Sequence, residues 1–329
     1  MDGQPVADCS ITLPDCKAPR TSVIFYQRRR PVCARCILAA AMSHQELLIR
    51  SNDLPTQGSG VLLEVTPQAA GWEYITFAVR RIARGTRWTG RTDGQECCLV
   101  LLSGHCTVAW NGGEARTLGP RTSVFDAYPH AAYLPDGYRF DVEALDTADV
   151  AECRAPSNKP LQARVVRPED CGFEIRGGAN ATRQIVDILP SAFPADRLLI
   201  CEVFTPGGNW SSYPPHKHDT DNPPVEVDLE ETYYFRMRDP RGFGFQRLYA
   251  ADGRFDETVT VAHGDLVLVR EGYHPFVTAF GCDAYYLNVL AGTRRSMAAS
   301  DDPRYAEFRQ SWPAPDPRLP MIKPPYETV

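Results

Sequence analysis

Short apolar or alternating segments recur at regular intervals through most of the chain, and this rhythm limits the possible folds more than any other feature. Examples are GVLLEVTP, WEYITFAVRRI and CCLVLLSG in the first half, and DRLLICEVFTPGG, EETYYFRM and DAYYLNVLAG in the second. Gly, Pro, Asn or Asp separates many of these segments, and only PRYAEFRQSW near the C-terminus indicates a helix. Short strands with turn residues between them are typical of an all-β sandwich or barrel.

The two halves of the chain repeat the same rhythm, which predicts two tandem barrels. CCLVLLSGHCTVAW and SVFDAYPHAAYLPDG in the first half match EETYYFRM, GFGFQRLYA and GDLVLVREGYHP in the second. We predict one barrel over residues 43–180 and a second, metal-binding barrel over residues 181–329, with few short helices. Residues 1–42 show no strand or helix periodicity, and we predict a disordered leader there.

Composition and charge exclude several classes of function. The formal net charge is -6 over 329 residues, and no basic stripe suggests a nucleic-acid surface. No segment approaches the roughly 20 apolar residues that would span a bilayer. The eleven cysteines are an odd number at irregular spacing, which favours reduced thiols over a disulfide framework. We therefore predict a cytoplasmic protein.

Two histidines lie two residues apart in SSYPPHKHD. Because residues i and i+2 of an extended strand point to the same face, the imidazoles of His216 and His218 can converge on one point. Pro214 and Pro215 favour the extended geometry that this requires. The spacing therefore predicts half of a metal site.

Glu231 and His274 are the other candidate ligands. Glu231 is preferred over Glu230 because it is in phase with Tyr233 on the same predicted strand face, and His274 follows in the turn EGYHP. Three imidazoles and a carboxylate suit a divalent transition metal, with Zn²⁺ or Mn²⁺ expected for redox-neutral chemistry. Such a set leaves coordination positions open, which is typical of a catalytic metal.

The HxH pair, the later glutamate and the Gly-rich turn with histidine resemble the motifs of the cupin superfamily. The longer strings CEVFTPGGNWSSYPPHKHD, LEETYYFR, GFGFQRLY, GDLVLVREGYHP and YYLNVLAG closely resemble the 5-deoxy-glucuronate isomerase family, bicupin enzymes of myo-inositol catabolism. The resemblance runs from about residue 42 to the C-terminus. It implies an all-β bicupin with jelly-roll barrels and the metal ligands His216, His218, Glu231 and His274.

The same resemblance implies an activity. It predicts an aldose–ketose isomerase that converts 5-deoxy-D-glucuronate to 5-dehydro-2-deoxy-D-gluconate through an enediolate, assisted by the metal. The alternatives are an isomerase of 5-keto-4-deoxyuronate, a cupin dioxygenase and a non-catalytic sugar-binding bicupin. The expected partner is a small sugar acid, without nucleic acid or membrane, and a homodimer is an open alternative.

Roles for other residues near the ligands follow from the chemistry. Isomerisation needs a proton-transfer group, and Tyr233 is the leading candidate beside Glu231, because these two are in phase. The substrate carboxylate needs a cation or hydrogen-bond donors. We name Arg247, its neighbour Gln246 and Tyr286 as candidates. Strand alternation allows only one of Arg247 and Gln246 to face inward.

Overall fold

Antiparallel sheets dominate the computed structural model of the chain, which describes residues 47–53 and 58–326. The predicted disordered leader, residues 1–42, lies outside the described residues. In chain order, the strands are β1 (Leu48–Ile49), β2 (Gly60–Val65), β3 (Thr76–Ile82), β4 (Arg87–Arg91), β5 (Gln95–Trp110), β6 (Arg116–Arg121), β7 (Ala131–Leu134), β8 (Arg139–Pro156), β9 (Arg164–Val166) and β10 (Gly172–Arg176). They continue as β11 (Arg183–Leu189), β12 (Leu199–Thr205), β13 (Trp210–Ser211), β14 (His216–Lys217), β15 (Leu229–Met237), β16 (Phe243–Tyr249), β17 (Asp256–Ala262), β18 (Leu266–Val269), β19 (Phe276–Thr278), β20 (Ala284–Gly292) and β21 (Ser300–Asp301).

Helices are short. The α-helix α1 covers Pro67–Ala70, and 3₁₀ helices cover Pro168–Asp170 and Ala306–Gln310. The second of these 3₁₀ helices lies in the C-terminal segment for which the sequence predicted a helix. α1 was not predicted, and it begins after Thr66, whose side chain accepts a hydrogen bond from the Ala69 backbone N–H.

The first half of the chain forms an eight-stranded sheet built on β5 and β8. The strand order is β2-β3-β8-β5-β7-β9, with β4 on β8 and β6 on β5. The long pairing of β5 with β8 is interrupted by register shifts around Gly104, which has φ 95°. A Cβ atom at Gly104 would lie 2.3 Å from the Thr147 carbonyl oxygen, so a residue without a side chain is needed where the strands bend.

The second half forms a sandwich of two sheets. A seven-stranded sheet has the order β1-β18-β15-β20-β12-β11-β10, and a four-stranded sheet has the order β13-β19-β16-β17. Phe235 and Tyr286 of the larger sheet pack in one core cluster with Val259 and Phe276 of the smaller sheet. The core of this half therefore lies between two facing sheets.

Two strands lie on the other side of the predicted domain boundary at residue 180 from the sheet to which they belong. β1 pairs with β18 and β10 pairs with β11, so two strands from before residue 181 belong to the seven-stranded sheet. A further core cluster joins the two halves, with Val100 from β5 and Val289 from β20. The division into barrels at 43–180 and 181–329 stays a prediction.

Strand β15 sets the position of the functional side chains. Tyr233 and Phe235 are buried in the cluster between the two sheets of the second half, on the same face of the strand as Glu231. Glu230 points the other way and accepts hydrogen bonds from the backbone N–H groups of Tyr74 and Ile75. This alternation is the one that the sequence predicted.

The cysteines within the described residues are all free thiols. The prediction of reduced cysteines is confirmed for these: Cys97, Cys98, Cys106, Cys153, Cys171, Cys201 and Cys282. Over the same part of the chain, no helix is long and apolar enough to cross a membrane.

Candidate metal centre

Three separate segments carry the four predicted metal ligands. His216 is the first residue of β14, and His218 directly follows that strand. Glu231 is the third residue of β15, and His274 lies in the loop between β18 and β19. His218, Glu231 and His274 are buried, so the fold brings residues far apart in sequence to one enclosed point.

The ligand atoms of His218, Glu231 and His274 lie within 4.8 Å of one another. The distance to Glu231 Oε2 is 2.9 Å from His218 Nε2 and 3.3 Å from His274 Nε2. His216 lies beside this triad, with its ring centroid 4.9 Å from that of His274. The structure therefore brings three predicted ligands within reach of one ion and places the fourth next to them.

Each histidine directs its Nδ1 atom at a nearby backbone carbonyl oxygen. The distances are 3.2 Å from His216 to Pro214, 2.9 Å from His218 to Leu229 and 3.0 Å from His274 to Gly272. A carbonyl partner at Nδ1 fixes the tautomer that leaves Nε2 free to bind a metal.

The donor set fits a divalent metal. His274 Nε2 is fully buried and has no hydrogen-bond partner among the described residues, which is costly unless another partner occupies the site. Burial alone would raise the pKa of Glu231, but the adjacent His218 and His274 lower that pKa to about 2. Burial lowers the pKa of His216 well below its usual value, and the other two histidines add to this. A carboxylate beside imidazoles is a donor set that divalent transition metals bind.

Asp219 ties the two ligand-bearing segments together. Its Oδ2 atom accepts a hydrogen bond of 2.7 Å from the backbone N–H of Gly272, two residues before His274. Gly272 has φ 82°, and a Cβ atom there would lie 2.6 Å from the Tyr249 carbonyl oxygen. This tight turn holds His274 opposite His218.

A cavity of about 320 Å³ opens beside the ligands, with His216, His218 and Glu231 in its wall. Three arginines also line it, and the sequence analysis named none of them: Arg176, Arg183 and Arg309. They come from β10, β11 and the C-terminal 3₁₀ helix. In the sequence, the only indication that Arg183 faces inward is its position two residues before Ile185, which points into the core on the same strand.

Arg247 and Gln246 lie on opposite faces of β16, as alternation requires. Arg247 forms a two-contact ion pair with Asp256, at 2.7 and 2.6 Å, and lines a different cavity of about 590 Å³. Gln246 is fully buried and places its Nε2 atom 3.4 Å from the His274 carbonyl oxygen. The structure thus brings Gln246, and not Arg247, close to the metal ligands.

Tyr233 and Tyr286 are buried side by side, with ring centroids 4.8 Å apart. The hydroxyl of Tyr233 lies 2.8 Å from Ser212 Oγ, and that of Tyr286 lies 2.5 Å from Ser211 Oγ. Burial raises the pKa of both tyrosines, that of Tyr286 to about 12. Both are therefore protonated at neutral pH, so each can donate a hydrogen bond but cannot serve as a ready base.

Comparison with known proteins decides the family. The model of the KduI/IolB family matches residues 47–308. The chain belongs to this family. A 5-deoxy-glucuronate isomerase from Geobacillus kaustophilus HTA426 is 44% identical over 258 residues, which are 78% of this chain and 93% of that protein. The isomerase of the same name from Bacillus subtilis 168 is 40% identical over 262 residues, 78% of this chain and 97% of that protein.

Solved structures agree with the fold. An IolB-like protein from Salmonella typhimurium LT2 has a TM-score of 0.75 and 37% identity, covering 80% of this chain and 98% of that one. Oxalate decarboxylase from Bacillus subtilis has a TM-score of 0.54 at 12% identity, covering 78% of each chain, and shares the fold alone. The predicted all-β bicupin fold and the predicted family are confirmed.

Proposed function

We propose that this KduI/IolB family member is an isomerase that converts 5-deoxy-D-glucuronate to 5-dehydro-2-deoxy-D-gluconate in myo-inositol catabolism. Relatives that bear the name 5-deoxy-glucuronate isomerase are 40% to 44% identical to it over almost their whole lengths. The observation that carries the proposal is the buried triad of His218, Glu231 and His274 beside a cavity of sugar-acid size. The reaction is an aldose–ketose isomerisation, an intramolecular oxidation and reduction.

The residues of the site have two roles in this reaction: four would hold the metal ion, and Tyr233 would donate a hydrogen bond. His218, Glu231 and His274, with His216 adjacent, would hold a divalent ion, Zn²⁺ or Mn²⁺. Such an ion supplies a Lewis acid for the oxygens that gain negative charge as the proton moves from C2 to C1. Tyr233, protonated at neutral pH, would donate a hydrogen bond to the substrate; its ring centroid lies 5.9 Å from that of His274, and its hydroxyl lies 2.8 Å from Ser212 Oγ.

The proposal also covers the setting of the enzyme. Its partner is a small sugar acid, its location is the cytoplasm, and a homodimer is the oligomeric state to test first. The exposed aromatic side chains Trp210, Phe243 and Phe245 of the four-stranded sheet support an association surface there.

The direct test is turnover of the sugar acid. We expect purified protein to convert 5-deoxy-D-glucuronate to a ketose without nicotinamide, flavin or oxygen. In D₂O, NMR should show deuterium at C6 of the product, the hydroxymethyl carbon that was C1 of the substrate, if the transferred proton exchanges with solvent at an enediolate. Oxygen consumption without ketose formation would instead favour a dioxygenase.

Removing the metal should abolish this activity. Because several kcal/mol of transition-state stabilisation depend on the ion, kcat is expected to fall by about 10³-fold after dialysis against a chelator. Zn²⁺ or Mn²⁺ should restore activity, and protein treated with chelator already saturated with zinc serves as the control. Full activity in protein that contains no metal by elemental analysis would contradict the proposed mechanism.

A further inference from the structure

Two of the three arginines that line the cavity are already neutralised. Arg176 donates to both carboxylate oxygens of Glu174, at 2.9 and 2.6 Å. Arg309 donates to both oxygens of Asp301, at 2.6 Å each. A two-contact pair of this kind satisfies most of what a guanidinium offers, so neither arginine is free for another anion.

Arg183 is different, because it is a buried cation without a counter-ion. It is 3% exposed, and no carboxylate within the described residues forms an ion pair with it. Its Nη1 atom donates one hydrogen bond, of 2.8 Å, to the Tyr213 carbonyl oxygen. Burial, together with the neighbouring Arg176 and Arg309, lowers the pKa of Arg183 to about 10.

A buried charge without a counter-ion lowers the stability of the fold unless a bound ligand compensates it. A buried guanidinium without an anion loses its hydration, and the single hydrogen bond of Arg183 to the Tyr213 carbonyl oxygen replaces only part of it. Arg183 faces Arg176 directly across the β10–β11 ladder, and Glu174 already neutralises Arg176, so Arg183 carries the uncompensated charge at this wall of the cavity. An anion entering the cavity would meet the charge of Arg183 and the hydrogen-bond donors of its guanidinium.

We infer that Arg183 binds the carboxylate of the substrate, an inference that rests on the proposed function. The cavity that contains Arg183 also contains His216, His218 and Glu231. A sugar acid has its carboxylate at one end and the reacting carbonyl at the other. Arg183 therefore anchors one end while the metal ligands meet the other, and this sets which carbon reacts.

Binding of a matched pair of ligands tests this assignment. D-glucuronate carries the carboxylate, and D-glucuronamide is its neutral counterpart. By calorimetry on the metal-loaded protein, we expect wild type to prefer D-glucuronate. Arg183→Gln should weaken D-glucuronate binding about 100-fold, because it removes one partner of a buried charge pair, and should leave D-glucuronamide binding unchanged.

Two further variants make the test specific. Arg183→Lys keeps the charge but loses the planar fork, so it should recover part of the lost affinity. Arg309→Gln removes an arginine of the same cavity that Asp301 already neutralises, and it should weaken binding less than 10-fold. The inference is overturned if Arg309→Gln has the larger effect, or if Arg183→Gln weakens both ligands equally.

A purely structural role for Arg183 predicts other results. If its main task is to hold the Tyr213 carbonyl oxygen ahead of His216, Arg183→Gln should lose metal and unfold at a lower temperature. We expect metal content and melting temperature to stay at the wild-type values, because the substitution removes an uncompensated buried charge. Loss of metal in Arg183→Gln would overturn the inference.

Turnover of 5-deoxy-D-glucuronate separates this inference from the proposed function. If wild type prefers D-glucuronate through Arg183 but forms no ketose, the proposed function fails and the carboxylate site stands. If wild type forms ketose and Arg183→Gln has an unchanged KM, the function stands and the inference about Arg183 fails. The expected result is a KM raised about 100-fold with a smaller change in kcat.

Discussion

Glu231→Gln is expected to empty the metal centre and to lower kcat/KM by about 10³-fold or more. Glutamine keeps the size of the side chain but removes the negative charge that lies 2.9 Å from His218 Nε2 and 3.3 Å from His274 Nε2. Without that charge, a divalent cation must be held by imidazoles alone, and the transition state loses the stabilisation that the ion supplies. Elemental analysis and the isomerase assay on the same sample measure both effects.

The adjacent residue provides a matched control. Glu230 is the same residue type on the same strand, but it faces away and accepts hydrogen bonds from the Tyr74 and Ile75 backbone N–H groups. Glu230→Gln should keep metal and activity and lose only some stability. Equal loss of activity in both variants would mean that the defect lies in the folding of β15. A metal-loaded, active Glu231→Gln protein would refute the ligand assignment.

The position of Glu231 could be predicted because the signal is local. Alternation along one strand places Glu231, Tyr233 and Phe235 on one face, and this follows from the pleat whatever the rest of the fold does. His216 and His218 were predicted by the same rule, and both lie in the wall of one cavity. His274 was predicted from the turn EGYHP. The conformation of this turn depends on Gly272, which is also a local feature of the sequence.

The arginine that faces the cavity could not be predicted in this way. Arg183 stands out because no carboxylate in the described part of the chain pairs with it, whereas Glu174 and Asp301 neutralise its neighbours Arg176 and Arg309. Asp301 lies more than a hundred residues away from Arg183, so only the folded chain shows which arginine is left over. The pairing of Arg247 with Asp256 could not be predicted either, because it depends on the register between β16 and β17.

A buried ion pair between the two large sheets could not be predicted from the sequence either. Arg121 at the end of β6 donates to both carboxylate oxygens of Glu202 on β12, at 2.7 and 2.8 Å, and both side chains are almost completely buried. The Tyr285 hydroxyl donates a third hydrogen bond, of 2.9 Å, to Glu202. Eighty-one residues separate the arginine from the glutamate, and no local pattern links them.

Glu202→Gln is expected to lower the free energy of unfolding by about 3–5 kcal/mol, because it leaves the Arg121 guanidinium buried without its counter-charge. Urea denaturation followed by fluorescence measures this loss. Glu143→Gln is the matched control, since Glu143 pairs with Arg87 at an exposed site and should change stability little.

The loss of stability should come from breaking the Arg121–Glu202 ion pair and not from the change at Glu202 alone. Arg121→Met also removes hydrogen bonds to the Leu101 and Val124 carbonyl oxygens, so it is destabilising by itself. The double variant Arg121→Met/Glu202→Gln leaves no unpaired buried charge at this site, and its loss of stability should be smaller than the sum of the two single losses by about 2 kcal/mol or more. Strictly additive losses would mean that the two side chains act independently. In that case the apolar cluster that contains Val100 and Val289 would hold the two sheets together without help from this ion pair.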